Sequence, residues 1–160
     1  MYRTAKTLYT SLCFALLAFS CASTKLYSEV QAQLPAPAPG EGRLFLFTPG
    51  RNFALSFHPT ILVNGDSIGR TTAGSFLVLD RPAGEYTIEA DKQASFASFS
   101  GQLQSVPTSV TLAAGERTYV ELEVQNLGFA LRVAATALDP TNAQTAIRLL
   151  RYDGGNVQLP

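Results

Sequence analysis

Tryptophan is absent from the 160 residues, and methionine and histidine occur once each. Cysteine occurs twice. With a single histidine that is too few for a zinc or iron–sulfur centre, which takes about four such ligands, so no metal and no cofactor is expected. Charge is scarce as well: 15% of residues are charged, and twelve Lys+Arg balance twelve Asp+Glu. With no basic surplus to neutralise phosphates, the composition argues against a nucleic-acid partner. What is plentiful is apolar side chain, 46% of the chain, and a disordered polymer needs the opposite balance. A chain of this length holds one ordinary domain plus some tail.

Residues 1–20 read as an export signal. Arg3 and Lys6 supply a positive start, and no further charge follows until Lys25. The apolar run from Leu8 to Ser20 falls short of the ~20 apolar residues that a membrane-spanning helix needs, but suits a signal-peptide core. Leu17-Ala18-Phe19-Ser20-Cys21 then resembles a bacterial lipobox, in which a Cys becomes the lipidated first residue. The alternative is a plain signal peptide cut near Ala22 or Ser23. By the sorting rule of that motif, Ala22 after the Cys implies the outer membrane, with the protein on its periplasmic face. Cleavage before Cys21 would remove Cys13, Arg3 and Lys6, leaving ten basic and twelve acidic side chains and one cysteine. No disulfide can then form within the chain. The implied partner is a membrane, reached through the lipid anchor and not by a spanning helix.

After Cys21, residues 22–42 read as a tether, because Leu34-Pro35-Ala36-Pro37-Ala38-Pro39-Gly40 favours extended polyproline II over helix or sheet. Residues 43–155 read as the folded domain. Arg43-Leu44-Phe45-Leu46-Phe47-Thr48 is apolar on both alternating faces, as a central buried strand should be. Thr60–Val63 and Asp66–Gly69 flank Asn64-Gly65, a strong hairpin signal. Ser75–Leu79 is a further run. Glu85–Ala90 and Thr118–Val124 alternate, with Tyr86, Ile88 and Ala90 in one case and Val120, Leu122 and Val124 in the other facing inward. Residues 91–107 have no steady period and read as a strand with a long loop, and Leu127–Val133 reads as the last major strand. Toward the end the period changes to that of a helix. Ala143, Ala146, Ile147 and Leu150 form one stripe, with Thr141 and Gln144 as a capping box, Arg148 and Arg151 in the last turn, and Gly154-Gly155 as the stop. The echo of Ala83-Gly84-Glu85 in Ala114-Gly115-Glu116 reads as shared turn chemistry. About seven short strands predict an all-β fold, a β-sandwich of immunoglobulin-like or transthyretin-like type, with a short C-terminal α-helix.

The order of these features resembles a bacterial lipoprotein family catalogued as domain of unknown function 2846. The likeness rests on the strand ending in Pro49-Gly50-Arg51, the Asn64-Gly65 turn with Ile68-Gly69, Gly74-Ser75-Phe76, Pro82-Ala83-Gly84-Glu85-Tyr86-Thr87, Ala114-Gly115-Glu116-Arg117-Thr118-Tyr119, and a helical tail containing Ala146-Ile147. It covers roughly residues 43–150. Thr48 stands where the family often carries Arg before the Pro. The resemblance implies fold and anchoring and no particular chemistry.

Few residues offer catalysis. His58 is the sole histidine, so a Ser-His-Asp triad would have to use it, oriented by Asp66 or Asp80. No Gly-x-Ser-x-Gly elbow is present. Glu121 and Glu123 share a strand face, with carboxylates within about 7 Å of each other, and read as outward charges. Residues 43–81 carry four Arg against two Asp, while 85–139 carry seven acids against three bases. A cleft lined by Arg43, Arg70 and Arg81 would point to a small ligand or glycan. The expectation is a non-enzymatic envelope lipoprotein that binds an envelope protein partner or serves assembly, with an envelope hydrolase using His58, or a small-ligand or glycan binder, as the alternatives.

Overall fold

The computed structural model describes residues 25–50, 58–91, 102–128, 130–157 and 159. Cys21 and the export signal lie outside them. In chain order the elements are α1 (Tyr27–Gln33), β1 (Glu41–Thr48), β2 (Thr60–Val63), β3 (Asp66–Arg70), β4 (Ser75–Pro82), β5 (Gly84–Ala90), β6 (Gln102–Val106), β7 (Thr108–Leu112), β8 (Arg117–Asn126), β9 (Ala130–Leu138), α2 (Pro140–Ile147) and β10 (Arg151–Gly155). The strands form two sheets, a six-stranded one ordered β10-β4-β1-β8-β9-β6 and a four-stranded one ordered β3-β2-β5-β7. All-β with a short helix near the C-terminus is therefore the fold, and the two sheets make a sandwich.

Strand β1 shows why. Its residues from Gly42 to Thr48 are all buried, because alternate side chains point to opposite faces and both faces are covered. Leu44 and Leu46 join Ile61, Val63, Leu77, Leu79, Ile88, Val120, Leu122 and Val124 in an aliphatic core between the sheets. Phe45 and Phe47 join Phe76, Val78 and Tyr119 in a second core, covered by Tyr27 and Val30 of α1 and by Ala143 and Ile147 of α2. Each fully buried large side chain contributes about 1.5–3 kcal/mol relative to exposure. The result is three layers: a four-stranded sheet, a six-stranded sheet, and helices on the outer face of the latter.

The hairpin forms as its sequence predicts. Asn64 and Gly65 take φ of 53° and 84°, β2 and β3 pair antiparallel, and Asn64 Oδ1 accepts from the Thr87 amide at 2.7 Å. The inward residues of β8 are buried as their alternation requires. The apolar stripe of α2 also holds: Ala143, Ile147 and Leu150 are buried, with Ala146 packed alongside.

Several expectations give way. Of the expected tether 22–42, the described residues 25–42 are not free: Tyr27–Gln33 is a helix whose Tyr27 and Val30 are buried, and the folded body includes residues before 43. A seven-residue helix is marginal alone; docking of Tyr27 on Phe45 and Phe76 decides it. Ten strands are present among the described residues, and β1–β8, β6–β9 and β4–β10 pair in parallel. The last large strand runs to Leu138, with Leu127-Gly128 in the preceding turn.

The C-terminal helix is capped by Asp139, which accepts from the amides of Thr141 and Asn142, and not by a Thr141–Gln144 box. Those amide hydrogen bonds, that of Asn142 first, hold the Asp139 carboxyl below its ordinary range. The helix ends at Ile147, and Arg151 opens a strand. Gly154-Gly155 belongs to that strand: Gly155 has φ of 132°, and a Cβ there would lie 1.9 Å from the Val78 carbonyl oxygen. The glycine lets β10 close on β4. The two echoing segments differ as well, since Gly115 has φ of 75° whereas Gly84 is not in the left-handed region.

Candidate functional site

The geometry that bears on anchoring is the seam where the chain enters the body. The amide of Tyr27 donates to the Leu150 carbonyl at 3.0 Å, and the amide of Tyr152 donates to the Lys25 carbonyl at 2.8 Å. Leu26 and Arg151 form an antiparallel bridge between these bonds. One turn on, the carboxylate of Glu29 accepts from the Leu26 amide at 2.8 Å, and Lys25 Nζ donates to Gln33 Oε1. Lys25, four residues after Cys21, is therefore already part of the body.

Two buried polar pairs hold this segment down. The Tyr27 ring meets Phe45 and Phe76 edge-on at 5.6 and 5.5 Å, and its hydroxyl is 3.1 Å from that of Tyr119. A buried hydroxyl needs a partner, and here two tyrosines supply each other. Burial, reinforced by that hydrogen bond, pushes the Tyr27 phenol well above its ordinary value. Burial also raises the Tyr152 phenol, whose hydroxyl donates to the Val157 carbonyl at 2.8 Å.

The second pair is ionic. Arg43 Nε donates to Asp80 Oδ1 and Nη2 donates to Oδ2, both at 2.7 Å. Arg43 and Asp80 face each other across the β1–β4 ladder, with side chains 2% and 15% exposed. The same Nη2 donates to the Pro35 carbonyl at 2.8 Å, which fastens the start of the Pro/Ala run to the sheet.

The residues singled out in the sequence are not gathered into one place. Arg43 is committed to Asp80 and Pro35. Arg70 is exposed at the end of β3 in the other sheet. Arg81 follows Asp80 on the opposite pleat, its Nη1 donating to the Asp80 carbonyl. The three arginines thus line no common cleft. His58 is half-buried, and its buried Nδ1 has no hydrogen-bond partner among the described residues. Neither proposed orienter serves it: both Asp80 oxygens receive Arg43, and Asp66 is exposed beside the hairpin turn. Glu121 is half-buried and Glu123 exposed on β8.

A polar group that periodicity did not single out lies near the seam. Thr48 and Thr71 share a buried hydroxyl contact of 2.7 Å. Asp153 Oδ2 accepts from the hydroxyls of Thr72 at 2.7 Å and Ser75 at 3.0 Å. These bonds join β10 to the turn before β4. Short polar residues at strand ends give no periodic signal; only the parallel docking of β10 brings Asp153 there.

Among the described residues no cluster of three or more His, Cys, Asp or Glu is placed to hold a metal ion. No described helix is long and apolar enough to cross a membrane. Compared with known proteins, the chain matches no family model, no curated protein sequence and no solved structure.

Proposed function

We propose that the chain is a bacterial envelope lipoprotein, of the kind catalogued as domain of unknown function 2846, acylated at Cys21 and held on the periplasmic side of the outer membrane. Its role is non-enzymatic: the sandwich is a binding or assembly module for an envelope protein partner. The observation that supports this reading is placement. The lipobox-like Leu17–Cys21 follows a signal-like segment, and the chain is hydrogen-bonded to the body from Lys25 onward. Buried acyl methylenes contribute roughly 0.8 kcal/mol each, and one chain alone binds only marginally, so firm attachment takes two or more.

The test is mass spectrometry of the mature N-terminus with membrane fractionation of wild type and Cys21→Ser. The expected result is an acylated Cys21 in the membrane fraction, and release or misprocessing of the variant. An unmodified Cys21, or wild-type protein free of membranes, would overturn anchoring. In vivo cross-linking of the anchored protein then recovers its partner.

The hydrolase alternative has one observation in its favour, the buried and unpartnered Nδ1 of His58. His58→Ala should leave function in the cell intact; its loss would favour the hydrolase.

A further inference from the structure

Leu149 is 72% exposed, the most exposed of the large hydrophobic residues described. It sits in the turn between α2 and β10, between Ile147 and Leu150, which are both buried. Arg148 and Arg151 on either side are exposed, and neither has an ion-pair partner among the described residues. Lys25 meets this segment by its backbone alone, its carbonyl accepting from Tyr152 and its neighbour Leu26 bridging to Arg151, while its Nζ donates to Gln33 Oε1. Two exposed carboxylates share the seam, and each accepts from neutral donors and not from an arginine, Glu29 from the Leu26 amide and Asp153 from the hydroxyls of Thr72 and Ser75.

An exposed apolar tip flanked by two arginines free of ion pairs is the composition of an interfacial membrane contact, in which the apolar group enters the acyl boundary and the cations meet anionic headgroups. Its position in the chain matters as much as its composition. Cys21 and Lys25 are four residues apart, a reach of at most about 14 Å when fully extended. Because the Pro/Ala run lies after the docked helix α1 and is fastened by Arg43, it cannot act as a stalk between anchor and body. Any lipid on Cys21 therefore holds near the bilayer the seam of Lys25 with Tyr152, three residues along the chain from Leu149.

We propose that the turn Arg148-Leu149-Leu150-Arg151 docks on an anionic phospholipid leaflet, Leu149 entering the interface and the two arginines contacting lipid phosphates. The domain then lies against the membrane with the β10 edge of its six-stranded sheet and the Arg151 end of that strand proximal, while the turn at Ala113–Glu116, at the opposite end of the sheet, faces away. This inference rests on the anchoring proposed above.

The chain contains no tryptophan, so one introduced residue is a unique fluorescent reporter. The mature lipidated protein carrying Leu149→Trp, or Ala114→Trp as the distal control, is reconstituted in vesicles of phosphatidylcholine and phosphatidylglycerol containing brominated chains. Flotation reads anchoring, and quenching reads docking. The expected result is blue-shifted, quenched emission for Leu149→Trp and none for Ala114→Trp. Each cation near an anionic surface is worth about a fivefold change in population. Adding Arg148→Gln and Arg151→Gln, or using phosphatidylcholine alone, should therefore shift Leu149→Trp markedly toward unquenched emission. Protein that floats with vesicles but shows equal quenching at both positions, or quenching indifferent to the arginines, would overturn docking and leave anchoring intact. Mature protein that fails to float would overturn anchoring and docking together.

Discussion

The two faces of the six-stranded sheet solve the same burial problem with different side chains. Toward the four-stranded sheet the sheet presents Leu44, Leu46, Leu77, Leu79, Val120 and Leu122. Aliphatic branches interdigitate well between sheets about 10 Å apart, and they leave no polar atom to satisfy. Toward the helices it presents Phe45, Phe47, Phe76 and Tyr119. Two short helices cover a sheet less evenly than a second sheet does, and large rings fill the space, Phe45 stacking on Tyr119 at 4.9 Å. The aromatic face also carries the polar closures, Tyr27 with Tyr119 and Arg43 with Asp80. The aliphatic core is indifferent to pH and to the chain before β1, while the aromatic core depends on both.

The largest effect expected from breaking this comparison is at the adjacent residues Phe45 and Leu46, both fully buried and pointing to opposite faces. Phe45→Ala should cost about 3–5 kcal/mol and Leu46→Ala about 2–5 kcal/mol, each with one cooperative transition in urea. A near-silent Phe45→Ala would mean that the helical layer is not part of the stable core.

Next comes the ion pair. Asp80→Ala leaves the Arg43 guanidinium buried without its carboxylate and should cost about 3 kcal/mol, the low end for a broken buried pair because Asp80 is partly reached by water. Arg43→Met with Asp80→Leu should recover most of that loss. Urea midpoints decide it, and a double variant no better than Asp80→Ala would show that the pair's bonds, and not the stranded charge, carry the effect.

The smallest effect separates the faces by pH. Tyr27→Phe removes one hydroxyl contact and should cost about 1 kcal/mol at neutral pH. The folded Tyr27 phenol is raised above its ordinary value of 10.0, so the folded state holds its proton where the unfolded chain has lost it. The stabilisation is full below pH 10.0 and is lost as pH rises beyond that. Thermal unfolding across alkaline pH should show wild type losing stability more steeply than Tyr27→Phe; parallel profiles would place the sensitivity elsewhere.

Much of the aliphatic core was legible in advance. Val120, Leu122 and Val124 alternate in the sequence and are buried in the structure, and Asn64-Gly65 names its turn by the φ values it tolerates. The aromatic core was half legible: the double-faced β1 demanded a cover on each side, and the Ala143–Leu150 stripe supplied part of one. Helix α1 was missed, although Tyr27, Val30 and Leu34 are spaced three and four apart, because the proline run beside them dominates a local reading. Strand β10 was missed because Arg151–Gly155 has neither alternating apolar residues nor β-branched ones. Its partner, β4, lies some seventy residues earlier. The candidate site was the least legible part. Arg43, Arg70 and Arg81 look alike in a sequence, and only the ladder that sets Arg43 opposite Asp80 shows that one of them is unavailable for a ligand.

The order of apolar residues by itself determined that this chain forms sheets, where its hairpin turns, and which alternate positions go inward, since those follow from local geometry repeated every two residues. Which strands became neighbours, which cover β1 received, and whether residues 25–42 hang free or lie docked were decided only in three dimensions. Those outcomes depend on contacts between segments far apart in the chain, as between Tyr27 and Tyr119 or Tyr152 and Lys25, and no local pattern encodes the partner.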